Sequence, residues 1–201
     1  NEKPLLNYFK VITIRESVQE YLMNQFNIKS TFMPHPFFSY PIPKNKGLGH
    51  KCVSIARIDF DKNTDIILKA NQLMEDKSNH IYLFGAENRL YVYHKLKSLN
   101  IDEYWKGKFP KNLSPTYEDC SILKDADYMI DMSLIKGDGG GTQYTFLEAI
   151  YQDTVLVLHN DWISKGNTFV SGVNCIAVSN ETELADFLTT GLSSSDYLNL
   201  L

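Results

Sequence analysis

The sequence predicts an α/β protein with a Rossmann-like, doubly wound, mostly parallel sheet and helices on both faces. Short apolar runs rich in β-branched residues recur along the chain, and amphipathic helical patterns lie between them. Continuous apolar runs are typical of strands that are covered on both faces. The alternation of strand and helix predicts parallel strands joined by helical crossovers. A chain of 201 residues can bury roughly 70% of the surface of its unfolded form, which is enough for a substantial core.

Eight segments are predicted to be strands because they are short, apolar and bounded by polar or turn-forming residues. They are 10–14, 30–33, 51–56, 80–84, 103–107, 127–132, 154–159 and 173–178.

Four of the predicted helices rest on apolar periodicity or on start signals. The first follows Asn63 or Thr64 and the second carries the apolar stripe Leu90, Tyr93, Leu96 and Leu99. The third is expected at Ser114–Pro115, a cap followed by a proline in the first turn. The fourth begins with a capping box formed by Asn180 and Glu183 and ends near Gly191.

One segment interrupts this rhythm. Residues 34–50 contain four prolines and two glycines and show no periodicity, which is typical of a linker or a crossing between domains. We therefore divide the chain into a strand–helix–strand unit (1–36), a crossing segment (37–49), a main Rossmann-like domain (50–191) and a C-terminal tail (192–201). Because the chain begins with an asparagine and not with methionine, we expect it to be a piece of a longer protein.

Composition excludes several classes of function. The formal net charge is −4, from 20 Lys and Arg against 24 Asp and Glu, so no basic surface for nucleic acid is expected. No apolar run approaches the length of a membrane span, and no signal peptide is visible. The three cysteines, Cys52, Cys120 and Cys175, are far apart and lie in apolar patterns. We expect reduced thiols, a cytoplasmic location, no disulfide and no zinc site.

The loop after the third predicted strand holds two cations. Arg57 and Lys62 lie at one strand end, just before a predicted helix N-terminus with its free N–H groups. This combination makes an anion site of the size of a diphosphate. In the alternative, both cations pair on the surface with Asp59, Asp61 or Asp65.

Two further loops follow predicted strands. Gly139, Gly140 and Gly141 precede an apolar helix, so backbone N–H groups could approach a ligand closely there. Glu148 lies in that helix and either contacts the ligand or forms a capping box with Thr145. In the other loop, Gly85 permits a tight turn from strand to helix.

Carboxylates and histidines offer other chemistry. Asp59 and Asp61 could hold Mg²⁺ or Mn²⁺ against a diphosphate. The five histidines are scattered, and neither a nucleophile elbow nor the spacing of metal ligands is present.

Four stretches together resemble the C-terminal, donor-binding domain of GT-B glycosyltransferases of the large retaining group 1, often called family 4. They are 56–70, 83–109, 127–158 and 172–188, in the same order as in that family. Residues 10–36 resemble the last strand–helix–strand of the family's N-terminal domain, so the chain resembles half an enzyme.

The resemblance implies a set of site residues. The family's R-x4-K segment implies that Arg57 and Lys62 bind the donor diphosphate and stabilise the charge of the leaving group. Donor contacts are implied for Gly85, Lys108, Phe109, Gly139, Gly140, Gly141, Thr142 and Glu148, with Lys108 and Phe109 near the nucleobase and Glu148 at the ribose. The first glutamate of the family's pair falls on Gly140. Either Asp138 takes over its catalytic role or the glycine backbone faces the sugar.

The implied function is transfer of a hexose or deoxyhexose from a nucleotide diphosphate sugar to a glycan acceptor, with retention and without a metal or other cofactor. The acceptor surface would come from the missing N-terminal domain or from a neighbouring domain. Two alternatives remain at this point: a non-catalytic nucleotide- or glycan-binding module, and a metal-dependent GT-A transferase that uses Asp59 and Asp61.

Overall fold

The fold was analysed on a computed structural model. It describes residues 6, 8–34, 36–37, 39, 51–108, 122–134, 143–165 and 169–201.

The predicted strand–helix–strand unit is present near the N-terminus. It consists of β1 (Val11–Thr13), α1 (Glu16–Phe26) and β2 (Ser30–Phe32), and the two strands pair in parallel. The left-handed Asn27 ends α1, and its N–H bonds the carbonyl oxygens of Leu22 and Met23.

A five-stranded, wholly parallel sheet forms the main body of the described chain. Its strands are β3 (Cys52–Ile55), β4 (Ile81–Phe84), β5 (Tyr128–Asp131), β6 (Val155–His159) and β7 (Ile176–Val178). Their order is β4-β3-β5-β6-β7. The chain enters at β3, steps outward to β4 and then returns to β5 on the other side. The switch point between β3 and β5 is where ligands bind in open sheets of this kind.

Helices cover both faces of this sheet, as predicted. One face is packed by α2 (Thr64–Leu73), α3 (Arg89–Tyr91, continuing as a π-helical turn over Val92–Leu96), α4 (Ile101–Tyr104), α7 (Glu181–Thr190) and α8 (Ser194–Asn199). The other face is packed by α5 (Tyr144–Tyr151) and α6 (Asp161–Lys165). Successive residues of a strand enter opposite cores: Ile130 contributes to the first and Met129 to the second. The doubly wound α/β prediction is confirmed.

Seven of the eight predicted strands are present, and the prediction for 103–107 is mostly wrong. Tyr104 ends helix α4, and Trp105 forms only an isolated parallel bridge with Leu83. The backbone then follows the edge of β4, since Lys106 N–H donates to Leu83 O at 2.9 Å. The aromatic residues Tyr104 and Trp105 resemble part of a strand in the sequence because their side chains cover this edge of the sheet.

The predicted helices are present where they fall within the described residues. The helix α2 begins at Thr64, and Asn180 caps α7 by accepting hydrogen bonds from the N–H groups of Thr182 and Glu183. Gly191, with φ of 69°, ends α7 as expected. The helix predicted at 114–115 lies outside the described residues.

The apolar stripe of the second predicted helix is partly wrong. Leu90 and Tyr93 are 65% and 61% exposed, whereas Tyr91 and Leu96 are buried. These two buried residues are five apart, a spacing that the i→i+5 bonding of a π-helical turn places on one side. The 3.6-residue period of an α-helix therefore assigns Leu90 and Tyr93 incorrectly to the buried face.

The segment 192–201, which the sequence gives as a tail, contains helix α8. Its Tyr197 is buried, and the hydroxyl lies 3.1 Å from Asp127 O and 2.9 Å from Asp153 O. Among the described helices, none is long and apolar enough to cross a membrane.

Candidate functional site

A small cavity of about 10 Å³ opens at the carboxyl ends of β3 and β5, at the switch point of the sheet. It is lined by Ser54, Ala56, Arg57, Ile58, Lys62, Thr64, Leu83, Asp131 and Met132. The volume suits about one water molecule, and several of the lining groups are polar. The two cations singled out from the sequence thus meet at the edge where the topology predicts a ligand.

Arg57 lies at the rim of this cavity. Its side chain is 61% exposed, and its guanidinium donates to Asp59 Oδ2 at 3.2 Å and to Asp61 Oδ2 at 3.3 Å. This is the surface pairing given as the alternative above. Exposed ion pairs contribute little free energy, so an incoming phosphate could take over the guanidinium at small cost.

Lys62 has a different environment. Its side chain is only 13% exposed; Nζ donates to Gln143 Oε1 at 3.1 Å and lies 3.9 Å from Asp131 Oδ2. The next residue, Asn63, has a left-handed conformation with φ of 45°, and its side-chain amide donates to Met132 O. This contact ties the loop after β3 to the end of β5, so that the ammonium points into the site.

The pairing partners predicted for Lys62 are therefore wrong. Asp65 instead pairs with Lys69 Nζ at 3.1 Å and accepts a hydrogen bond from the Tyr91 hydroxyl at 3.0 Å. Lys62 is held by groups that lie far from it along the chain.

Asp131 is a site residue that sequence reasoning missed. It ends β5, and its side chain is 1% exposed. Its Oδ1 accepts hydrogen bonds from both Ser133 N–H, at 2.8 Å, and the Ser133 hydroxyl, and Gln143 Nε2 in turn donates to Ser133 Oγ at 3.2 Å. Lys62, Gln143, Ser133 and Asp131 thus close a ring of polar contacts. The signal in the sequence was a carboxylate at the end of an otherwise apolar strand.

Glu148 lies on α5 and is 6% exposed. The helix begins at Tyr144 with Gln143 at the N-cap, so Thr145 is not the capping residue. The capping-box alternative for Glu148 and Thr145 is therefore wrong. The donor-contact role of Glu148 stays a prediction.

Gly85 follows β4 and packs against the backbone of the neighbouring loop. A Cβ placed on Gly85 would lie 1.8 Å from Ala56 O. Its N–H donates to Gly107 O and its carbonyl accepts from Trp105 Nε1, both at 2.9 Å. This glycine is required for close approach within the fold, and its donor role is untested. Lys108, directly after Gly107, is exposed.

The other predicted site residues, Phe109, Asp138, Gly139, Gly140, Gly141 and Thr142, lie outside the described residues. Among the residues that the structure does describe, no group of three or more His, Cys, Asp or Glu side chains could hold a metal ion.

Comparison with known proteins gives the fold but no sequence family. No protein-family sequence model and no curated protein sequence matches this chain. Many solved structures match it. TarM of S. aureus has a TM-score of 0.65 at 20% identity, over 99% of this chain and 40% of TarM.

Two further solved structures have the same fold as this chain. HepE of Anabaena, in complex with UDP, has a TM-score of 0.62 at 16% identity, over 93% of this chain and 55% of HepE. The C-terminal domain of LpcC of Francisella tularensis, a group 1 glycosyl transferase, has a TM-score of 0.54 at 15% identity, over 79% and 88% of the two chains. The chain thus has the fold of a glycosyltransferase donor-binding domain, one half of the GT-B architecture. It spans 40% and 55% of TarM and HepE.

Proposed function

We propose that this chain is the donor-binding part of a GT-B glycosyltransferase and binds a nucleotide diphosphate sugar at the switch point of its sheet. The observation that carries the proposal is the convergence of Arg57 and Lys62 at the carboxyl ends of β3 and β5. A second support is the N-terminus of α5, which Gln143 brings to the same place through its bond to Lys62. Two cations and a helix N-terminus suit a diphosphate.

In the proposed reaction, the nucleoside diphosphate leaves while negative charge develops on its terminal phosphate. Lys62, pre-positioned and mostly shielded from water, would stabilise that charge without reorganising. Arg57 at the rim would add to this once the phosphate has displaced Asp59 and Asp61 from its guanidinium. The sugar, a hexose or deoxyhexose, would pass to a glycan acceptor with retention. The acceptor surface would belong to another domain, because TarM and HepE are much longer than this chain.

Uracil is the first nucleobase to test. HepE and a TarM variant were both determined with UDP. Lys108 directly follows Gly107, whose carbonyl oxygen accepts a hydrogen bond from Gly85 N–H just after β4, and we propose that it contacts the base.

The metal-dependent alternative is less favoured by the geometry. Asp59 and Asp61 both accept hydrogen bonds from the Arg57 guanidinium, and Asp59 Oδ1 also accepts from Asn88 Nδ2 at 2.9 Å. A divalent cation at these carboxylates would have to displace Arg57.

The non-catalytic alternative is supported by one sequence observation: Gly140 occupies the position of the family's first glutamate. Donor binding without sugar transfer, in a protein that contains the acceptor domain, would favour it over the enzyme.

The proposed function is tested by thermal unfolding of the protein with UDP, GDP, dTDP or ADP, in the presence of a chelator. A ligand at 100 times its dissociation constant should stabilise the fold by about 2.7 kcal/mol, or raise the unfolding temperature by roughly 5–10 °C. A shift that is selective for one base and survives the chelator supports a metal-independent donor site. No shift with any nucleotide would contradict the proposal.

A further inference from the structure

Asp131 places a buried carboxylate inside the site, paired only at a distance with Lys62. Its side chain is 1% exposed, and Oδ2 has no hydrogen-bond partner among the described residues. Among the described residues, the cation that pairs with Oδ2 is Lys62 Nζ. The two atoms are 3.9 Å apart, which is beyond hydrogen-bonding distance. Within the part of the chain that the structure describes, half of the hydrogen-bonding capacity of this carboxylate is therefore unused.

The position of any phosphate bound by Lys62 is limited by this distance. A phosphate oxygen that accepts a charge-assisted hydrogen bond from Nζ at about 2.8 Å lies no more than about 7 Å from Asp131 Oδ2 while the lysine keeps its position. Charges at such a separation interact strongly where water is excluded and weakly where it is present. Water is excluded from the buried side chain of Asp131, so its interaction with the phosphate is strong.

The two carboxylates that pair with Arg57 differ in this respect. The side chains of Asp59 and Asp61 are 22% and 32% exposed, and both are paired with Arg57, which is 61% exposed. Water and the guanidinium screen their charges. Of Asp59, Asp61 and Asp131, Asp131 is therefore the carboxylate that would repel a bound phosphate most strongly.

We propose that Asp131 sets the charge preference of this site, so that it binds a nucleotide diphosphate sugar in preference to the free nucleoside diphosphate. This inference rests on the proposed function. Each phosphate of the donor has one ester and one anhydride linkage and carries one negative charge. The terminal phosphate of the free nucleoside diphosphate is linked only through the anhydride, so it has a second ionisation near pH 6 and carries additional charge at neutral pH. Asp131 repels that additional charge and weakens the binding of the product more than that of the donor.

The proposal is tested with Asp131→Asn, which keeps the shape of the side chain and an acceptor for Ser133 N–H. Calorimetric dissociation constants are measured for UDP and UDP-glucose, or for the corresponding guanine, thymine or adenine pair if only that base binds. We expect the variant to gain about fivefold more affinity for the free diphosphate than for the sugar nucleotide. Asp125→Asn, which removes an exposed carboxylate paired with Lys51, is the matched control and should leave the ratio unchanged.

A merely structural role of Asp131 would change both affinities alike, and an unchanged ratio overturns the inference while leaving the proposed function intact. If Asp131→Asn does not fold, Asp131→Thr supplies a neutral, β-branched residue with a hydroxyl at the same strand end. If the parent protein binds none of the nucleotides, the proposed function fails and the inference fails with it.

Discussion

Gly85 approaches Ala56 so closely that a Cβ at position 85 would lie 1.8 Å from the carbonyl oxygen of Ala56. Because the obstacle is backbone, a side chain at this position cannot be accommodated by a rotamer change. We expect Gly85→Ala to lower the free energy of unfolding by about 3 kcal/mol, or the unfolding temperature by about 6–12 °C. Thermal unfolding checks this. Ala86→Ser, at the exposed next residue, is the control, and equal stability of the two variants would contradict the packing argument.

Arg57 should matter for binding and little for stability. Its guanidinium is exposed and pairs with two partly buried carboxylates, so Arg57→Ala should change the free energy of unfolding by less than about 1 kcal/mol. A charge-assisted hydrogen bond to the diphosphate contributes about 1.5–3 kcal/mol, so binding should weaken roughly 10- to 150-fold. Titration calorimetry with UDP measures the effect. Arg89→Ala removes another exposed arginine, and a parent-like affinity in Arg57→Ala would exclude Arg57 from the donor site.

Lys62 should matter both for donor binding and for the stability of the fold. Lys62→Met leaves the buried Asp131 carboxylate without its cation, and we expect a loss of about 1–3 kcal/mol in the free energy of unfolding. The double variant with Asp131→Asn should recover part of this loss, because the uncompensated charge is then gone. Urea unfolding measures all three proteins. Lys69→Met breaks the closer but more exposed pair with Asp65, at 3.1 Å, and should cost less than about 0.5 kcal/mol. A larger loss in Lys69→Met than in Lys62→Met would reverse the order that burial predicts.

The strands and most helices could be predicted from the sequence because their signals are local. Buried parallel strands are visible in the sequence as continuous apolar runs. The start of α7 is predicted by Asn180 and Glu183, which form a capping box. The prediction at 103–107 was mostly wrong because an aromatic run that covers a sheet edge looks like a strand. Helix α8 was missed because it has only six residues, of which Tyr197 alone is buried, too few to show an apolar periodicity.

The candidate site could be predicted only in part. Arg57 and Lys62 stand in one short loop, so their common location was visible. The partners of Lys62 were not, since Gln143 is 81 residues away and Asp131 lies on another strand. Such a contact depends on the order of the strands, which places β5 beside β3 and not beside β4.

Cys52 gives a prediction about the pH dependence of stability. Burial, with a smaller contribution from the charge of Asp127, raises the pKa of its thiol from 9.0 to about 12. The folded state therefore holds this proton at pH values where the unfolded chain has lost it. The stabilisation is complete below pH 9 and is lost as the pH rises toward 12. We expect the free energy of unfolding to fall over this window, and to fall less steeply in Cys52→Ala, whose absolute stability is lower. Urea titrations at several pH values measure both slopes, and the exposed-site variant Ser98→Ala serves as the control. Identical slopes for the parent and Cys52→Ala would show that the thiol ionises equally in the folded and unfolded states.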